Sequence, residues 1–94
     1  MRYVHISRTP GQTRADYEAV LEEMGGELPT GLLMHVVGEA DGGLHIVDVW
    51  ESKAVADRFA AEQLFPAFQR TGRRPGEGAS YIAFETDDVQ AVGR

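Results

Sequence analysis

GLLMHVVGEADGGLHIVDVWES, residues 31–52, decides how this chain folds. Asp41-Gly42 is the signature of a type I′ turn, whose twist matches that of the strands it joins. The runs on either side, Leu32 to Val37 and Leu44 to Trp50, are rich in strand-favouring β-branched residues. A two-residue loop at Asp41-Gly42 sets His35 opposite Asp48, and a four-residue loop from Ala40 to Gly43 gives the same register. One face then carries Leu33, His35 and Val37 with Ile46, Asp48 and Trp50. The other carries Leu32, Met34 and Val36 with His45, Val47 and Val49. A sheet with one wet face alternates apolar with polar, whereas both faces here are mainly apolar. Both must be covered.

Upstream, Met1 to Ser7 alternates with period two and reads as a first strand, closed by Arg8-Thr9-Pro10-Gly11. Tyr17, Val20, Leu21 and Met24 make one apolar stripe on a helix from Thr13 to Met24. Thr13 is its candidate cap, Asp16 suits its positive end, and Gly25-Gly26 stops it. Downstream, Ser52 caps a second helix with Val55, Ala56, Phe59 and Ala60 on one side. Pro66 predicts a break near Leu64-Phe65, followed by a short continuation. Gly72 to Gly78 is a loop, Ser80 to Thr86 a last strand, and residues 87–94 a polar tail.

The 94 residues therefore form one domain of β-α-β-β-α-β order. That is the α+β, ferredoxin-like arrangement: a four-stranded antiparallel sheet with two helices on one face. Two helices cover one face and leave the other apolar and bare. A second copy of the chain, as a two-fold homodimer, is the economical cover. The alternative is a monomer whose tail folds across the sheet. The aliphatic face suits a sheet-to-sheet contact, and the face with His35, Asp48 and Trp50 suits a cleft under the helices, where polar groups find partners.

Composition removes several function classes. A net charge of −6 argues against nucleic acid, which needs a basic footprint. With no cysteine there are no disulfides and no thiolate zinc sites. No apolar run approaches membrane-spanning length, and MRYVHISRTP has no secretory signal pattern, so a cytoplasmic location is expected. A histidine metal site is not expected, since His35 and His45 point to opposite faces and His5 adds only one ligand. The Arg70-Thr71-Gly72-Arg73-Arg74 run reads as a solvated loop.

The element order, the double-sided hairpin and Asp48-Val49-Trp50-Glu51-Ser52 running into a helix resemble the dimeric α/β barrel superfamily, and within it the antibiotic biosynthesis monooxygenase-like branch. The resemblance implies homodimers with a ligand cavity between each sheet and its helices. It also implies, for some members, oxidation of polycyclic phenols or quinols by oxygen with no cofactor. Trp50 matches the pocket-lining tryptophan of that pattern. The pattern's asparagine four residues earlier is here Ile46. Haem-degrading members carry a tryptophan within the second helix and an Ala-His pair near its end; this chain has Phe59 and Ala67-Phe68 instead, which argues against haem.

The candidate site follows. His35 and Asp48 lie within reach across the hairpin, and a carboxylate on an imidazole fixes its tautomer and raises its basicity. They are the candidate catalytic pair; Trp50, Leu33, Ile46 and Phe59 are the candidate substrate-binding residues. A small hydrophobic or aromatic molecule is the expected ligand. Three readings share this site: a cofactor-free monooxygenase, an isomerase or cyclase using the same pair, and a non-catalytic ligand-binding or interaction module.

Overall fold

The computed structural model describes residues 1–93; Arg94, the last residue of the expected tail, lies outside the described residues. Strands β1 (Arg2–Pro10), β2 (Leu32–Ala40), β3 (Gly43–Trp50) and β4 (Ser80–Thr86) form one sheet in the order β2-β3-β1-β4. Every neighbouring pair is antiparallel. Helix α1 (Arg14–Glu23) crosses from β1 to β2, and a second helical segment, from Lys53 to Thr71, crosses from β3 to β4. The fold is the ferredoxin-like one expected from the element order.

The hairpin obeys its turn. Asp41 and Gly42 have φ of 52° and 75°, both positive as a type I′ turn requires, and Ala40 pairs with Gly43. His35 therefore faces Asp48. At the far end the register slips: Met34 opposes Val49 but Leu32 opposes Trp50, leaving Leu33 as an extra, bulged residue. Gly31, immediately before, has φ of 93°, and its carbonyl accepts from the Glu51 N–H at 2.8 Å. The bulge inverts the expected parity at this one end.

Helix α1 begins with the expected cap. Thr13 Oγ1 accepts from the Asp16 N–H at 3.2 Å, and the Asp16 carboxylate accepts from the Thr13 N–H at 2.9 Å, a reciprocal capping box. The Gly26 N–H closes the C-terminus onto the Leu21 carbonyl.

Two boundaries differ from expectation. Strand β1 does not stop at Ser7; pairing continues through Thr9 with Leu44 and Pro10 with Gly43. Proline is tolerated there because it is the last residue of the ladder. The second helical segment does not break before Pro66. It runs as α2 (Lys53–Phe59), a widened π turn (Ala60–Leu64) and α3 (Phe65–Thr71). Leu64 and Phe65 keep right-handed helical dihedrals, and the Phe65 N–H reaches back five residues to the Ala60 carbonyl. The extra residue in that turn makes room for a ring that cannot donate and would crowd a regular turn.

Both helical segments pack on the face that carries His35, Asp48 and Trp50. Leu44, Trp50, Val20, Ala56 and Ala67 are buried between the layers. Burying a leucine such as Leu44 contributes about 2 kcal/mol. The opposite face holds Met34, Val36, Ile82 and Phe84, all around half exposed, with Ile82 at 62%. Among the described residues the tail leaves this face open, since residues 87–93 are themselves exposed. No helix is long and apolar enough to cross a membrane among the described residues.

Candidate functional site

Three side chains from three elements meet under the helices. His35 on β2 and Asp48 on β3 are register partners, and Nδ1 of His35 lies 2.5 Å from Oδ1 of Asp48. Tyr17 on α1 lies on the other side of the ring, its Oη 2.8 Å from Nε2 of His35. With Asp48 ionised, the consistent proton assignment has Nδ1–H donating to the carboxylate and the phenol donating to Nε2. The phenol and imidazole rings also stack, with centroids 5.6 Å apart and planes at 25°. The His35 and Asp48 side chains are only 16% and 17% exposed.

Burial dominates the electrostatics. It pushes the Asp48 carboxyl above its usual range, opposed by the His35 hydrogen bond and by the charges of His35 and His5. It likewise raises the Tyr17 phenol, with Arg14 opposing, so the phenol keeps its proton at neutral pH. An ordered Tyr–His–Asp chain of this kind can pass a proton inward to the imidazole and stabilise the imidazolium that results.

The chain opens on a cavity of about 500 Å³, within the usual range for small-molecule sites. Its walls divide by chemistry. The sheet contributes His5, His35, Asp48, Ser7, Thr9 and Tyr81, while Trp50, Phe59, Leu64, Phe65 and Phe68 supply an apolar, aromatic part. Trp50 and Phe59 touch, ring centroids 5.1 Å apart. Trp50 is only 3% exposed, so it serves core and cavity wall together.

Neither a protein-family model nor a curated protein matches the sequence. Solved structures do match the fold. A candidate antibiotic biosynthesis monooxygenase from Chloroflexus aurantiacus is 22% identical, with a TM-score of 0.69, covering 99% of this chain and 100% of that one. The cofactor-independent oxygenase SnoaB from Streptomyces nogalater is 15% identical, with a TM-score of 0.64 and coverage of 94% and 95%. The ActVA-Orf6 monooxygenase of Streptomyces coelicolor, in complex with nanaomycin D, is 15% identical, with a TM-score of 0.60 and coverage of 97% and 92%. This chain has the antibiotic biosynthesis monooxygenase-like fold.

Within the monooxygenase-like fold, the residues singled out from sequence fall as follows. His35, Asp48, Trp50, Ile46 and Phe59 all line the one cavity. Leu33 does not. The bulge moves it off the wall, where it is 48% exposed, and Leu32 lines the cavity in its place. Ile46 presents an aliphatic side chain beside Ser7, its register partner on β1.

Two polar members of the site were not legible as such. Tyr17 reads in sequence as one more apolar position on a helical stripe, and only the docking of α1 brings its hydroxyl to His35. His5 reads as an ordinary strand residue, yet the β1–β3 register sets it directly against Asp48. Its ring lies 5.7 Å from that of Tyr81. The signal that could have found it was parity: His5 shares a face with Tyr3 and Ser7, both cavity residues.

The basic run is not simply a solvated loop. Arg70 Nε pairs with Glu23 at 2.5 Å, and Arg73 Nη1 pairs with Asp16 at 2.6 Å. Gln12 Nε2 adds a bond to the Arg73 carbonyl at 2.6 Å. These contacts tie the end of α3 and its loop to both ends of α1 beside the cavity. Exposed pairs of this kind contribute little individually, so their role is to position rather than to stabilise. Among the described residues, no group of three or more His, Asp or Glu side chains is arranged to hold a metal ion.

Proposed function

We propose that the chain is a cofactor-free monooxygenase acting on a phenolic, quinol or polyketide-like aromatic molecule. The observation that carries this reading is the Tyr17–His35–Asp48 chain opening on an apolar cavity of about 500 Å³. The neighbouring folds support it, since one is named a cofactor-independent oxygenase and another is described with nanaomycin D bound.

In this mechanism the substrate's aromatic body lies against Trp50 and Phe59 and its oxygen reaches the polar part of the cavity. His35 Nε2 takes the proton, either directly or as Tyr17 passes its own proton in and accepts the substrate's. Asp48 stabilises the imidazolium. The electron-rich anion then reacts with oxygen. For an anthrone-like substrate the CH₂ carbon loses two hydrogens and gains one oxygen atom, and the second oxygen atom leaves as water.

Ile46 favours a second reading. It stands where the monooxygenase pattern has an asparagine, and an aliphatic side chain gives a peroxy group no hydrogen bond. The same base without oxygen would make the chain an isomerase or cyclase. On either reading a second copy covers the open face of Met34, Val36, Ile82 and Phe84, as a homodimer.

The deciding experiment is oxygen uptake with anthrone and 1,4-naphthohydroquinone, comparing wild type with His35→Ala. Loss of a general base lowers the rate by roughly 10²–10⁴-fold. Equal enzyme-dependent rates in the two proteins remove His35 from the mechanism. Tight binding of both compounds with no oxygen uptake in wild type sinks the monooxygenase reading.

A further inference from the structure

Asp48 has a histidine on each side. His35 on β2 and His5 on β1 are both its register partners, so three adjacent strands place His35, Asp48 and His5 in one row across the cavity floor. The two imidazoles stand on strands roughly 10 Å apart, two inter-strand spacings. They differ in what they touch. Both nitrogens of His35 are engaged, one by Asp48 and one by Tyr17. His5, among the described residues, makes no side-chain hydrogen bond. No fully buried side-chain nitrogen or oxygen among those residues lacks a partner, so the unpaired ring nitrogens of His5 keep some accessible surface. His5 lines the same cavity and is half-buried beside Tyr81. A free imidazole on a cavity floor, next to a buried carboxylate, is placed to take or give a proton.

We propose that His5 is a second acid–base residue of the cleft, serving a second oxygen of the substrate while His35 serves the first, with Asp48 between them as shared counter-charge. This rests on the reading above, a cofactor-free site that pairs a base with oxygen, and adds to it a second substrate class, aromatics with two ionisable oxygens, which are oxidised without oxygen insertion. Oxidation of a quinol to a quinone breaks two O–H bonds and passes two electrons to oxygen. The two protons rest on His35 and His5 until reduced oxygen takes them and leaves as hydrogen peroxide. The row accommodates both oxygens on one floor. Anthrone is a natural contrast, because its two hydrogens leave one carbon in turn and a single base serves both.

The test compares His5→Gln and His35→Ala with wild type, using 1,4-naphthohydroquinone and anthrone as probes. His35→Ala lowers kcat/KM for both probes. His5→Gln lowers kcat/KM for the quinol by tenfold or more, and by a clearly larger factor than for anthrone. Equal losses on both probes in His5→Gln indicate a merely structural role and overturn the proposal, as does no loss on either. If His35→Ala retains full activity, the oxygenase reading itself fails, whatever His5→Gln shows. An activity-independent measurement accompanies these: the imidazole nitrogen resonances of both histidines, recorded in wild type and in Asp48→Asn. Both sets move if Asp48 is shared. A change confined to His35 overturns the proposal even if neither probe is turned over.

Discussion

Tyr17 and His35, eighteen residues apart in the chain, share a 2.8 Å hydrogen bond that joins helix α1 to the sheet beside the cavity. The contact fixes which nitrogen of His35 faces the cavity side and which faces Asp48. It makes α1 part of the site rather than only its roof.

Replacing Tyr17 by phenylalanine keeps the stacked ring and removes only the hydroxyl. The expected result is a roughly tenfold fall in kcat with little change in KM. That is a smaller loss than the roughly 10²–10⁴-fold that removal of a general base produces. Steady-state oxygen uptake on anthrone measures it. An unchanged kcat would show that the substrate reaches His35 without the phenol.

Asp48 makes a prediction about stability and pH. Burial holds its folded-state carboxyl above the ordinary value of 3.8. Between that value and the raised one, the folded chain binds a proton that the unfolded chain has released. Stability therefore falls as pH rises through that window. An asparagine side chain does not ionise, so the melting temperature of Asp48→Asn relative to wild type should rise as pH climbs above the ordinary carboxyl value of 3.8, while turnover falls. Thermal melts across that range check the sign. A relative melting temperature that declines over the same range would mean that the His35 interaction outweighs desolvation.

The open face predicts an assembly. Wild type should sediment at twice its 10.3 kDa mass. Ile82→Lys and Phe84→Lys, on the edge strand β4 of the exposed apolar face, should sediment as monomers because a charge buried there has no partner. Sedimentation velocity decides it, and a monomeric wild type would remove the homodimer.

Gly31 tests the bulge. Its φ of 93° is costly for any residue with a Cβ, and a Cβ there would lie 2.6 Å from Val55 Cγ1. Gly31→Ala should cost about 2 kcal/mol. In a domain of this size that lowers Tm by roughly 10 °C, readable by calorimetry. A loss under about 2 °C would show that the bulge and α2 yield readily.

Sequence by itself determined the element order, the hairpin register and the pairing of His35 with Asp48. These rest on local rules: Asp41-Gly42 fixes its own turn geometry, and a turn fixes the register of the strands leaving it. Parity then assigned the two faces correctly along most of the hairpin. It failed at Leu33, because a bulge costs one residue of phase and leaves no local composition signal beyond Gly31. The π turn at Ala60–Leu64 was hidden for a related reason: Pro66 announces a conflict with regular helix but not how packing resolves it. Only the tertiary structure brought Tyr17 to His35 and His5 to Asp48. Each contact joins elements distant in sequence, and the docking of α1 and the central place of β1 between β3 and β4 decide both.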